Sequence, residues 1–128
     1  MDWKTLQRYD FKEKINRKSE IQDNYEYEKR IITKKGLDYD KYILKKYLHN
    51  KIYNLQPNKF PYDLQKNIKH YVLWLNPALK SKFIHNQKFI KSILKEYIPD
   101  KQFIYYMNSY QNKSIKPIPH YQVFIKTD

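Results

Sequence analysis

The chain has 128 residues, a net charge of +13 and no cysteine. This length supports one hydrophobic core, so we expect a single domain over residues 1–128, with residues 1–17 as a flexible or docking arm. The lack of cysteine excludes disulfides and thiolate metal sites, and it favours an intracellular protein of the cytoplasm or nucleus. Because no apolar run approaches the length of a membrane span, we expect no membrane partner.

The basic charge has two interpretations. The excess of 26 basic over 13 acidic residues is typical of a protein with an anionic partner, such as nucleic acid, a nucleotide or phosphate. Alternatively, Lys, Ile, Tyr and Asn form nearly half of the chain and have codons of A and T alone, so an AT-rich genome raises the lysine content without selection for binding. Only Glu96, Asp100 and Asp128 are acidic after residue 64, so an anion is expected to bind the second half.

The first half of the chain predicts two helices. Ser19 and Gln22 form a capping box, which predicts the start of the first helix. Gly36, the only glycine, predicts its end in a left-handed cap. A second helix is expected after Asp38 or Asp40, and its apolar residues recur at helical spacing as far as Ile52.

The second half predicts three strands and one long helix. The segment Gln56–Tyr62 contains two prolines and is predicted to be a loop. Strands are expected at 70–75, 102–107 and 120–125, where β-branched and aromatic residues concentrate, and a helix is expected at 77–97. The predicted fold is therefore α+β: a small antiparallel sheet of three evident strands packed with two or three helices, with a helical N-terminal part.

Several classes of site are excluded by missing motifs. The four histidines are isolated from one another and lack metal-ligand spacing, so we expect no metal. One glycine is too few for a phosphate-binding loop, which excludes P-loop and Rossmann proteins, and no Gly-x-Ser-x-Gly nucleophile motif is present. We therefore expect no cofactor.

The candidate site lies in the block from Asn108 to Gln122. His120 and Gln122 occupy alternate positions of a predicted strand, so both side chains leave the same face. A histidine there can attack phosphorus or accept a proton, the glutamine can donate hydrogen bonds to phosphoryl oxygens, and Ser114 can help to hold the anion. The alternative is that His120 merely satisfies a loop carbonyl at the start of a strand, and His70 has the same two interpretations.

Two non-catalytic functions remain open. Lysines interleaved with tyrosines can pair phosphates and stack bases, so the chain is alternatively a basic nucleic-acid-binding or packaging protein. In a strand, however, alternate aromatic residues face the core in any case. A third possibility is an interaction adaptor that docks through the aromatic residues Trp3, Tyr9 and Phe11. The sequence leaves the oligomeric state open.

Three strings give the chain a resemblance to a known family. They run from Asn58 to Asp63, from His70 to Pro77 and from Lys113 to Ile125. In order and spacing they resemble the N-acetylglucosamine-induced protein 1 family, which is known mainly from fungi and whose biochemistry is unknown. The resemblance covers about residues 11–126. One departure is Gln122, which stands where that family has the second histidine of a His-x-His strand.

The same strings resemble, more weakly, the histidine-triad and galactose-1-phosphate uridylyltransferase superfamily. This resemblance places Asn58 and His70 on the first conserved part of that superfamily's motif. It places Asn108, Ser114 and Ile115 on the second part. The implied activity is that of a histidine-dependent nucleotidyl hydrolase or transferase, or of a silent binder of the same ligands.

The resemblance also implies a role for each residue. His120 is the nucleophile that attacks the α-phosphorus of a nucleotide, Gln122 and Ser114 hold the phosphate oxygens, and Asn108 orients the imidazole through its other nitrogen.

Two lysines and one substitution complete this interpretation. Lys113 and Lys116 add electrostatic stabilisation, whereas Ile118 replaces the first histidine of the triad. We therefore expect the chain to bind a phosphorylated small molecule such as a nucleotide or nucleotide sugar, and the sequence leaves open whether it also cleaves or transfers it.

Overall fold

The computed structural model describes residues 1–108, 115 and 117–127 of the chain. Within these residues the fold is α+β, with five helices and a four-stranded antiparallel sheet. The helices are α1 (Trp3–Arg8), α2 (Ser19–Lys34), α3 (Tyr39–Leu48), α4 (Ser81–Ile84) and α5 (Gln87–Tyr97). The strands are β1 (Tyr53–Pro57), β2 (Ile68–Leu75), β3 (Phe103–Tyr106) and β4 (His120–Lys126), in the sheet order β1-β2-β4-β3. The predicted class and the helical N-terminal part are confirmed.

Helix α2, the first of the two helices predicted in the first half of the chain, begins differently from the prediction but ends as predicted. Ser19 is the first helical residue, and Lys18 at the N-cap makes no side-chain capping bond, so the predicted capping box is wrong. Gly36 has a φ of 78°, and the amides of Gly36 and Leu37 donate to carbonyls of the last turn of α2. This left-handed turn brings α3 back alongside α2.

Helix α3, the second of these predicted helices, is shorter than its apolar pattern suggested. The Asp38 side chain accepts hydrogen bonds from amides of the first turn of α3, as predicted. The helix ends at Leu48, and Asn50 follows in the left-handed region with a φ of 56°. Ile52 therefore lies outside the helix and is 59% exposed, which makes the predicted extension wrong.

Strand β1 occupies part of the segment that was predicted to be a loop. It forms the edge of the sheet, and Pro57 is its last residue. At an edge the missing proline amide leaves no ladder partner unsatisfied, so proline is tolerated there. The loop prediction for Gln56 and Pro57 is wrong for this reason.

The long helix predicted at 77–97 is divided into α4 and α5. The division lies at Asn86, whose side-chain oxygen accepts from the Phe89 amide at 3.0 Å and so caps a new helix.

Within the described residues, no helix has both the length and the apolar character needed to cross a membrane.

The sheet is covered by helices on both faces. One face packs against α4 and α5, through Leu73 and Val123 among others. The other face lies under the N-terminal helices, where Phe124 packs with Trp3 and Leu6 of α1. Trp3 and Leu6 are buried in this packing, so Trp3 does not present its ring at the surface.

Candidate functional site

Five polar side chains are buried within the described part of the chain: Asn54, His70, Asn108, His120 and Gln122. Four of them are predicted site residues. A buried polar group is costly unless it is hydrogen-bonded, so the partners of each one show what it is held for.

The partners of His70 define its tautomer. The Tyr62 backbone amide lies 3.1 Å from His70 Nδ1, and Nε2 lies 2.6 Å from Gln122 Oε1. A backbone N–H is always a donor, so Nδ1 must accept, and the proton of the neutral ring is on Nε2. Nε2 therefore donates to the oxygen of Gln122.

This bond fixes the orientation of the Gln122 carboxamide. Because Oε1 accepts from His70, the NH₂ group of Gln122 is the end that remains for other partners. Asn58 Nδ2 lies 3.3 Å from His70 Nε2, but both groups are donors in this tautomer, and Asn58 Oδ1 accepts from the Phe60 amide at 2.8 Å. Asn58 therefore packs beside His70 without competing for Gln122.

His70 stays uncharged at ordinary pH. Burial lowers the pKa of its imidazole to about 3, with the bond to Gln122 opposing this shift and the Arg17 cation adding to it. Both ring nitrogens are engaged and the ring is neutral. His70 is therefore suited to position Gln122, and not to exchange protons.

His120 is held by a loop carbonyl and by an aromatic stack. Its Nδ1 lies 2.8 Å from the Ile118 carbonyl oxygen, which can only accept, so Nδ1 carries a proton and the lone pair of the neutral ring is on Nε2. The ring packs 5.0 Å from Trp74, which in turn stacks on Tyr47 at 5.5 Å. The bond to a loop carbonyl, which was the alternative interpretation, is present, and the same ring lines a pocket.

This pocket has a volume of about 60 Å³ and lies between the sheet and the N-terminal helices. His120, Gln122 and Asn58 form part of its wall. The other aromatic residues that line it are Tyr25, Tyr39, Tyr42, Tyr47, Phe60 and Trp74, and the charged ones are Arg17, Glu28, Lys46 and Lys59. His120 is only 4% exposed.

The electrostatic balance of the pocket is positive. Glu28 forms an ion pair with Lys59, which neutralises one cation. Arg17 lies over the Tyr25 ring at 4.6 Å and Lys46 over the Tyr47 ring at 5.3 Å, and neither forms an ion pair within the described residues. The pocket therefore has the net charge of about two cations.

The Tyr39 hydroxyl stays protonated beside this pocket. It donates to Glu28 Oε2 at 3.3 Å. Burial, and then the nearby Glu28 carboxylate, raise the pKa of Tyr39 well above its usual value. Glu28 is therefore held from two sides.

The sequence did not reveal these cations. An anion was expected to bind the second half of the chain, but Arg17, Lys46 and Lys59 all come from the first half. They reach the pocket because α2, α3 and the segment after β1 pack over the sheet. No local spacing in the sequence predicts that arrangement.

Not every predicted residue reaches the pocket. Asn108 Nδ2 donates to the Tyr62 hydroxyl at 3.2 Å, and Asn108 does not line the pocket. The prediction that Asn108 orients the His120 imidazole is therefore wrong, because the bond at Nδ1 is made by the Ile118 carbonyl. Ser114, Lys113 and Lys116 lie outside the described residues. Ile115 is described and lines the pocket.

Comparison with known proteins gives a family but no activity. A model for the family described as "Protein of unknown function (DUF3605)" matches residues 3–126. The chain belongs to this family. No curated protein matches it.

Among solved structures, this DUF3605 chain is similar to the protein chain described as "Crystal Structure of HTC1". The TM-score is 0.68 at 17% identity, over 99% of this chain and 85% of that one. Similarity at this identity shows a shared fold alone. The family match carries no support for the histidine-triad superfamily, and the assignment to the N-acetylglucosamine-induced family stays a prediction.

The pocket brings together hydrogen-bond donors and cations from separate parts of the chain. The donors are the NH₂ group of Gln122, the Arg17 guanidinium and the Lys46 ammonium. Within the described residues, no three side chains of the His, Cys, Asp or Glu type group together as metal ligands.

Proposed function

We propose that this protein binds a phosphorylated small molecule, such as a nucleotide or nucleotide sugar, with a phosphate group seated between His120 and Gln122. One observation carries the proposal. The chain from the Tyr62 amide through His70 to Gln122 Oε1 uses a buried, neutral histidine to fix the orientation of one amide at a pocket. Such a preorganised donor binds an anion without first having to be reoriented.

Charge and size support a phosphate group. A phosphate monoester carries about two negative charges at neutral pH, which matches the two cations Arg17 and Lys46. A volume of about 60 Å³ has room for a few water molecules or one phosphate group, but sites for whole small ligands are typically about 300–1,000 Å³. The rest of the ligand must therefore lie outside this pocket.

We propose further that His120 acts as a nucleophile, as the resemblance to the histidine-triad superfamily implies. Because Nδ1 is bonded to the Ile118 carbonyl, we assign the attack on phosphorus to the other ring nitrogen, Nε2. A phosphorus–nitrogen bond forms, and the bond to the leaving oxygen breaks with its electron pair. Attack by water or by an acceptor hydroxyl then releases His120, which gives hydrolysis or transfer. We also propose that the chain is a member of the N-acetylglucosamine-induced protein family, as the resemblance of its three strings implies.

Isothermal titration calorimetry with inorganic phosphate, nucleoside phosphates and nucleotide sugars tests binding. The decisive variant is Gln122→Glu, because its carboxylate can still accept from His70 but places a negative charge where the NH₂ group was. We expect at least a tenfold loss of affinity for phosphate ligands, since one hydrogen bond to a charged group contributes about 1.5–3 kcal/mol. His85→Asn, at an exposed histidine, is the matched control and should bind like the wild type.

Two results would contradict the proposal. The first is a wild-type protein that gives no heat with any phosphorylated compound, and the second is equal binding by Gln122→Glu. The nucleic-acid alternative predicts a different result: binding of single-stranded DNA that weakens steeply with salt and is unaffected by His120→Ala.

A further inference from the structure

A second hollow adjoins the phosphate-sized pocket. It has a volume of about 460 Å³ and lies beside α2. Glu28, Lys59 and Phe60 line both this hollow and the pocket of about 60 Å³. These three residues therefore form the wall between the two spaces.

The polar part of this wall is an ion pair whose lysine end is exposed to water. Lys59 Nζ pairs with Glu28 Oε1, and the two side chains are 55% and 19% exposed. Water and salt therefore screen the Lys59 end of the pair, whereas the Glu28 carboxylate is mostly covered. An incoming phosphate can therefore compete with Glu28 for the Lys59 cation, while the Tyr39 hydroxyl still bonds the carboxylate.

The hollow itself is lined mainly by apolar and aromatic groups. Ile21 and Ile31 contribute aliphatic surface, and Phe60 and Tyr27 contribute rings. Tyr27 is 60% exposed, so it is an aromatic side chain that the fold leaves largely unpacked. Asn24 adds a side-chain amide, which can both donate and accept hydrogen bonds.

We infer that this hollow is a second subsite, which takes the nucleobase of a nucleoside phosphate whose phosphate group occupies the smaller pocket. The inference rests on the proposed function and names its ligand class. A planar base can stack on Tyr27 and Phe60 and bond the Asn24 amide, whereas a sugar ring offers no aromatic face for stacking. The subsite also provides the space that the pocket of about 60 Å³ lacks.

The test compares phosphate ligands without a base to one that carries a base. Calorimetry on the full chain measures binding of inorganic phosphate, ribose 5-phosphate and AMP. Since stacking of one base contributes about 1–3 kcal/mol, we expect AMP to bind about 5- to 150-fold more tightly than ribose 5-phosphate. Tyr27→Ala should remove most of this advantage and leave the affinity for ribose 5-phosphate unchanged. The control is Tyr97→Ala, which changes an exposed tyrosine of α5 and should keep the tighter binding of AMP.

The wall gives a second readout. Glu28→Gln removes the competitor for Lys59, so it should raise the affinity for both ribose 5-phosphate and AMP severalfold without changing their ratio. Equal binding of AMP and ribose 5-phosphate, or an AMP advantage that survives Tyr27→Ala, would overturn the base subsite and leave the phosphate site standing. If none of the three ligands binds, the proposed function fails, and the subsite fails with it.

Discussion

Replacing His70 with glutamine should change how the stability of the protein depends on pH. The pKa of His70 is about 3 in the folded protein and 6.5 when unperturbed. Above pH 6.5 both the folded and the unfolded chain have a neutral imidazole, so pH has no effect through this group. Between pH 6.5 and 3 only the unfolded chain binds the proton, so folding becomes less favourable as the pH falls.

The size of the effect follows from these two values. At pH 5 the solution is 1.5 units below the unperturbed pKa, and each unit corresponds to about 1.4 kcal/mol, so His70 should cost about 2 kcal/mol of stability. The result hardly depends on the folded value, because pH 5 lies above it. His70→Gln lacks the titrating group and should lose about 2 kcal/mol less than the wild type between pH 7 and pH 5.

Urea unfolding followed by far-UV circular dichroism at the two pH values measures this difference. Comparison of the two proteins cancels the contributions of carboxylates and of the other histidines. His85→Gln, at an exposed histidine, should show the wild-type pH dependence. If the wild type and His70→Gln lose the same free energy between pH 7 and pH 5, His70 is not buried in the neutral form and the orientation derived for Gln122 loses its basis.

Two further predictions concern the turn between α2 and α3, and urea unfolding at pH 7 checks both. Gly36→Ala should cost about 1–2 kcal/mol through backbone strain, because φ is 78° and no atom beyond its chain neighbours lies within 4 Å of the added methyl group. A neutral result would contradict the left-handed turn. Asp38→Ala should cost about 1 kcal/mol through loss of the cap bonds to the amides of Asp40 and Lys41, and Asp23→Ala, in the exposed middle of α2, should cost less.

The sequence predicted the elements in which local chemistry decides the structure. The strands β2, β3 and β4 were predicted because β-branched and aromatic residues concentrate in them. Gly36 and Asp38 were placed correctly because a left-handed turn and a helix cap each depend on one residue. Strand β1 was missed because it is polar and ends in Pro57, and only its position at the sheet edge allows that composition.

The candidate site was predicted as far as one strand determines it. Alternation along β4 places His120 and Gln122 on one face, and the structure has both at one pocket. The bond from His70 to Gln122 could not be predicted, because it depends on the alignment of β2 with β4, which pairs Val72 with Gln122. The contribution of Arg17 depends in turn on how the helices pack over the sheet.

The buried bond between His70 of β2 and Gln122 of β4 also bears on how the sheet is assembled. Residues 120–125 of β4 are all buried, so solvent exposure does not distinguish its two faces. If β4 shifted by one residue along β2, the Gln122 side chain would turn to the opposite face of the sheet, where Leu73 and Val123 now pack in an apolar cluster. His70 would then lose its hydrogen-bond acceptor. Each unpaired group would cost about 1–3 kcal/mol, so the histidine–glutamine bond selects one alignment of the central strands over its nearest competitors.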